Sequence, residues 1–238
     1  RAPRPTMTLD LSSTGDDPAA PIPAEVLVLD FGGVISRTLF ETHALTEQAL
    51  GLPPGTLTWR GPFDPSTDPL WQQMQAGALS ERDYWLARTA EVGQRVGETW
   101  TRMEQFVTRA RGADPAAVIR PEAIAAVEAA VDAGKRVAIL SNELDLFYGA
   151  DFRTRLPLLR HVEHITDATY TGILKPDRRA YTAVCEAMDV PPQRCVFVDD
   201  QPRNVEGALR AGMLVVPFDV RDPADGYRQA LLLLGLPV

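Results

Sequence analysis

Three carboxylates, a hydroxyl and a lysine are the residues of this chain best suited to chemistry. Asp30 ends the apolar run Val26-Leu27-Val28-Leu29 and is followed by Phe31-Gly32-Gly33. Ser141 and Asn142 end the run Arg136-Val137-Ala138-Ile139-Leu140, and Asp199-Asp200 end Cys195-Val196-Phe197-Val198. Three converging carboxylates repel one another and raise each other's pKa unless a cation joins them. Mg²⁺ relieves such a cluster, because it favours a few carboxylates, waters and a phosphate oxygen. A carboxylate held against phosphorus is also a nucleophile. Lys175 adds a compact cation suited to a phosphate or a carboxylate. Of the 24 basic residues only Lys135 and Lys175 are lysines, so a lysine here calls for a local reason. Gly32 and Gly33 let the backbone approach a ligand and present N–H groups.

The elements that must position these groups are legible as apolar patterns. The runs before Asp30, Ser141 and Asp199, and a weaker one at Leu214-Val215-Val216-Pro217-Phe218, read as strands buried on both faces. Helices are expected between them: Pro121 to Ala133, Pro176 to Met188 and Pro202 to Ala211, with Gly134 and Gly212 as stops. Strands alternating with helices predict an α/β fold, a doubly wound parallel sheet of Rossmann-like form. Ligands bind such sheets beyond the carboxyl ends of the strands, where the polar groups fall. Residues 36–116 break the alternation and carry most of the aromatics. They predict an inserted α-helical cap domain, with Ser80-Glu81-Arg82-Asp83 as a helix start and Trp71, Tyr84, Trp85, Trp100 and Phe106 as its core. The expected organisation is a flexible leader over 1–24, a core domain over 25–35 and 117–238, and the cap over 36–116.

Composition sets the outer limits. The chain has 238 residues, 45% of them hydrophobic and 24% charged, ordinary values for a globular protein. No apolar run approaches the ~20 residues of a membrane span, so no membrane partner is expected. The net charge of −8 disfavours a nucleic-acid partner. Cys185 and Cys195 are the only cysteines, which excludes a disulfide framework and suits core positions in a reducing, cytoplasmic setting. His161 and His164 stand three apart with no further histidine or cysteine to complete a zinc site. Oligomeric state is not encoded in any pattern seen here.

Taken together, the motifs resemble those of the haloacid dehalogenase-like (HAD) hydrolase superfamily. "VLVLDFGGV" (26–34), "VAILSN" (137–142), "GILKPDRRAY" (172–181) and "VFVDDQPRNVEGALRAGM" (196–213) are similar to its four motifs, in order. The resemblance spans roughly residues 25–220, and the helical insertion resembles the cap of the branch with haloacid dehalogenases and β-phosphoglucomutase. It implies a Mg²⁺-dependent phosphatase that hydrolyses a small phosphorylated metabolite through an aspartyl-phosphate on Asp30, a sugar phosphate being the default substrate. Asp30 is then the nucleophile, with one oxygen on the metal. The Gly32 carbonyl, Asp199 and Asp200 complete the metal site. Gly33, Ser141, Asn142 and Lys175 hold substrate or the phosphoryl group, and Asn204 supports the acidic loop.

One position departs from the pattern. Most phosphatases of this superfamily carry a second Asp two residues after the nucleophile as general acid and base, and here that residue is Gly32. A substitute acid is expected from the insertion, Glu143 or Asp145. Two other readings accompany this one: a non-catalytic phospholigand-binding protein, and a metal-independent haloacid dehalogenase.

Overall fold

In the computed structural model, residues 23–111 and 115–237 are described. Nearly all of the expected leader lies outside them, but its last residue, Ala24, is buried in the core. Five strands form one parallel sheet in the order β3-β2-β1-β4-β5. They are β1 (Val26–Leu29), β2 (Arg136–Ser141), β3 (His164–Asp167), β4 (Cys195–Asp199) and β5 (Leu214–Pro217). Four were legible as apolar runs. The edge strand β3 was not, since only its last two residues are buried and His-Ile-Thr-Asp carries no apolar run.

Successive side chains of a strand point to opposite faces, and both faces are covered. Leu27, Leu29, Val137, Ile139, Val196 and Val198 meet helices α5 (Pro121–Asp132) and α10 (Pro223–Leu233). Val26, Val28, Ala138, Leu140 and Phe197 meet α8 (Arg178–Ala187) and α9 (Pro202–Ala211). Double coverage is why these strands read as unbroken apolar runs. Cys185 and Cys195 sit in the second layer as free thiols. The short helices α6 (Leu144–Tyr148) and α7 (Ala168–Thr171) follow β2 and β3. Register then fixes the site: Leu29 pairs with Val198, so Asp30 and Asp199 leave neighbouring strands side by side.

The stretch between β1 and α5 is helical: α1 (His43–Leu50), α2 (Pro69–Gln75), α3 (Glu81–Arg95) and α4 (Met103–Arg111). Ser80 caps α3 by accepting from the Asp83 N–H at 3.0 Å, as its sequence predicts. These helices enclose an aromatic cluster of Phe40, Trp59, Trp71, Tyr84, Trp100 and Phe106. Inside it Asp68, fully buried, accepts from the Trp71 N–H (2.9 Å), the Tyr84 hydroxyl (2.7 Å) and Arg88 (2.5 Å). A buried carboxylate so paired ties α2 to α3, and loss of either partner leaves an uncompensated charge.

His43 lies edge-on to Trp59, with ring centroids 4.4 Å apart. Burial, aided by the Arg60 charge, lowers its pKa from 6.5 to about 4. Below pH 6.5 the unfolded chain therefore takes up a proton that the folded chain refuses. Stability is expected to fall between pH 6.5 and 4, by roughly 2 kcal/mol from this residue. Urea midpoints measured across that range check it, and His43→Leu should flatten the dependence.

Candidate active site

The expected polar groups gather at the carboxyl ends of β1, β2 and β4, where they line an open cleft. At its centre the Lys175 ammonium, its side chain 1% exposed, donates to Asp30 Oδ1 (2.8 Å), Asp199 Oδ2 (2.7 Å) and the Leu140 carbonyl (2.9 Å). All three of its protons are thus used. Burial works against its charge, but Asp199 and Asp30 outweigh that and hold it above the usual lysine range. Burial pushes Asp30 up to about 7, with Lys175 pulling down and Asp199 pushing up.

The lysine is itself placed by Asn142. Its Oδ1 accepts from the Lys175 N–H at 2.7 Å, and its Nδ2 donates to the Lys175 carbonyl at 3.2 Å. Asn142, expected as a substrate contact, lines the cleft and bonds the backbone of Lys175 at both polar ends of its amide. Asp199 is likewise committed. Besides Lys175 it accepts from the Gln201 N–H (2.8 Å) and, at both oxygens, from Asn204 Nδ2 (3.1 Å). Expected as a metal ligand, it also anchors Lys175 and the start of α9.

Asp200 is the opposite case. It accepts no hydrogen bond among the described residues, and burial, then Asp199, Asp30 and Glu81, push its pKa well above the usual carboxylate range. Oxygens of Asp30, Asp199 and Asp200 all lie within 4.8 Å of one another. Asn204 Oδ1 is also buried with no donor. Hard oxygen donors, one carboxylate lacking any partner and an orphaned amide oxygen together fit a divalent cation such as Mg²⁺.

Ser141, 6% exposed, lines the cleft as expected, its Oγ accepting weakly from the Glu143 N–H at 3.4 Å. The two glycines differ. Gly33 has φ +85°, and a Cβ there would sit 2.8 Å from Asp200 Oδ2. Gly32 has open space where a Cβ would lie. Of the acids expected to replace the missing Asp, Asp145 is spent on Arg153 (2.8 Å) and Tyr170 (2.5 Å). Glu143 lines the cleft, as does Glu81 from α3.

Sequence reading missed the link between the helical stretch and the sheet. Arg82 pairs with Glu143 at 2.5 Å, and Arg203 pairs with Glu81 at 2.8 Å. Arg153 meets Asp145 and Asp167. Trp71 and Trp85, expected only as packing, line the cleft. The one hint was the helix start that carries Glu81 and Arg82. Such pairings join residues far apart in the chain, and no local pattern announces them.

Residues 25–212 match the haloacid dehalogenase-like hydrolase family. The chain belongs to that family. A HAD-like relative, the phosphatase MT3486 of Mycobacterium tuberculosis, is 33% identical over 151 residues, which is 63% of this chain and 66% of that protein. The chain thus spans two thirds or less of the curated relatives it matches. Among solved HAD-like folds, YfnB of Bacillus subtilis bound to magnesium is similar with a TM-score of 0.65 at 14% identity, over 90% of this chain and all of that one. L-2-haloacid dehalogenase from Xanthobacter autotrophicus is similar with a TM-score of 0.56 at 20% identity, over 82% and 77% of the two chains. At such identities these two likenesses establish the fold. No helix of the described residues is long and apolar enough to cross a membrane.

The glycine contrast gives a paired prediction. Gly33→Ala should cost about 1–2 kcal/mol through its positive φ and push Asp200 aside, whereas Gly32→Ala should be close to neutral. Thermal midpoints of the two variants, with and without Mg²⁺, check it.

Proposed function

We propose that this hydrolase is a Mg²⁺-dependent phosphatase acting on a small phosphate monoester through an aspartyl-phosphate. The observation that carries the reading is the buried Lys175 bridge between Asp30 and Asp199, beside the unpartnered Asp200. Asp30 is the nucleophile. Lys175 holds Oδ1, which leaves the other oxygen to attack phosphorus as the bond to the ester oxygen breaks. Lys175 also offsets charge on Asp30 as negative charge gathers on the phosphoryl oxygens. Ser141 and the Gly33 backbone hold those oxygens, and Asn142 keeps Lys175 in place. Asp30 and Asp200, with the Gly32 carbonyl, are the residues that would hold Mg²⁺, and Asp199 and Asn204 support them. Bound Mg²⁺ supplies Lewis-acid stabilisation of the transferring phosphoryl group. The phosphatase name of the Mycobacterium relative supports this reading. The helical stretch over 36–116 serves as the cap that covers the cleft and selects the substrate.

The leaving oxygen needs a proton, and Gly32 has none to give. General acid–base help is worth about 10²–10⁴-fold. The open space at Gly32 therefore favours a slow phosphatase, or a binder without turnover as the second reading. Phosphate release from a panel of phosphomonoesters tests both. Release is expected with Mg²⁺, to be lost in EDTA, and to fall at least 10³-fold in Asp30→Asn, the loss expected of a group that forms the covalent bond. Undiminished activity in Asp30→Asn would sink the covalent scheme. Halide release from 2-haloacids in EDTA would return the dehalogenase reading.

A Cβ at position 32 meets nothing within 4 Å, so Gly32→Asp is the variant that tests the missing proton donor. It should raise kcat for alkyl phosphates tenfold or more, with a smaller gain for p-nitrophenyl phosphate, whose leaving group needs no proton. Equal gains for both esters would show that proton donation does not limit turnover.

A further inference from the structure

The cleft carries two positive charges that phosphoryl transfer does not use. Arg37 and Arg111 both line it, and both are half-buried. Arg111 donates to Thr42 Oγ1 at 3.2 Å and to the Arg37 carbonyl at 2.8 Å, and its Nε is buried with no acceptor. Neither guanidinium meets a carboxylate among the described residues. Every other described arginine that is buried or half-buried does: Arg88, Arg120, Arg136, Arg153 and Arg194. Withdrawing a guanidinium from water without a counter-ion is costly, and the fold elsewhere avoids it. The chain is not short of acid, with a net charge of −8. Among the described residues, the missing counter-ion is therefore a local feature of this cleft.

Much of the remaining wall is apolar: Leu39, Phe40, Trp71, Trp85, Val107 and Phe147 line it, beside Thr38, Glu81 and Glu143. The apolar part suits an aromatic or aliphatic body.

We propose that the substrate is a phosphomonoester with an apolar, ring-sized body and a second anionic group, which Arg37 and Arg111 receive. This rests on the phosphatase reading for the reactive end only. The reactive phosphate lies against Ser141 and Lys175. The body lies against the aromatic wall, and the second anion supplies the charge that the two arginines lack. A guanidinium binds a carboxylate or a phosphate through parallel N–H donors, so either anion meets the same chemistry. A neutral sugar phosphate leaves both arginines uncompensated, which displaces it as the default substrate.

Binding and turnover separate this inference from the reading beneath it. Asp30→Asn protein with Mg²⁺ is titrated calorimetrically with phenyl phosphate, 4-carboxyphenyl phosphate and 1,4-phenylene bisphosphate. At least one of the two dianion-bearing probes is expected to bind tenfold or more tighter than phenyl phosphate, and the tighter of them names the anion. Arg37→Gln and Arg111→Gln, each added to that protein, should bring the ratio close to one. The thermal midpoint of each variant reports whether it has folded, and Arg37→Gln breaks no ion pair among the described residues. Equal affinities for all three probes, no binding at millimolar concentration, or a preference that survives both substitutions in folded protein overturns the proposal. Phosphate release by the unsubstituted protein is followed with the same three esters. Release without an anion preference leaves the phosphatase standing and removes the anion site. A preference in binding with no release from any ester leaves the anion site standing and removes the phosphatase.

Discussion

A lysine ammonium sealed between two aspartates is the interaction on which the remaining site geometry depends. Lys175 keeps no solvent to share its charge, so its three protons must find oxygen within the fold. They do so on Asp30 of the β1 end, Asp199 of the β4 end and the carbonyl of Leu140 in β2. One side chain therefore cross-links the ends of three adjacent strands. Its own backbone is held in turn by Asn142 at the end of β2. Removing any one partner would leave a buried charge unmatched, which is the expensive way to break such a group. The price of that arrangement is rigidity, and rigidity is what a nucleophile needs in order to face one point of the cleft.

Once Asp199 is consumed by Lys175, Gln201 and Asn204, the two acidic neighbours divide the labour. Asp199 is structural in its hydrogen bonds, while Asp200 accepts none among the described residues and faces three carboxylates, with Lys175 the opposing charge. Adjacent residues leaving a strand take opposite directions, so one points into the packed layer and the other into the cleft. The same logic separates the two glycines. Gly33 has to be glycine because its φ is positive and Asp200 occupies the space of a side chain. Gly32 is glycine without any such constraint. Neither a close contact at Cβ nor a positive φ requires glycine there.

The helical stretch is tied to the sheet-bearing part by ion pairs, among them Glu81 with Arg203 and Arg82 with Glu143. Two adjacent residues at the start of α3 thus reach the first turn of α9 and the residue that precedes α6. The Arg203–Glu81 pair is exposed and adds little stability, while Glu143 is buried beneath Arg82. The two pairs fasten α3, and with it Trp85 of the aromatic wall, to the segments that follow β2 and β4. The buried Asp68 network then holds α2 and α3 as a unit behind that wall.

Sequence by itself determined the sheet and the identity of the polar groups at its edge. Strands buried on both faces must be apolar along their length, so β1, β2 and β4 and the residues that end them were visible as interruptions in apolar runs. Lys175 stood out because so few lysines exist. Only the tertiary structure decided who bonds to whom. That Asn142 serves Lys175, that Asp199 is spent while Asp200 is open, and that Asp145 belongs to Arg153 and Tyr170 all depend on packing between distant segments. The edge strand β3 stayed hidden because half of it faces solvent. The cleft wall stayed hidden because an aromatic residue at helical spacing looks the same whether it packs inward or faces a ligand. Hydrophobic periodicity reports burial, which is a property of one element. Hydrogen-bond partnership and cavity lining are properties of pairs brought together across the chain, and no single stretch of sequence contains them.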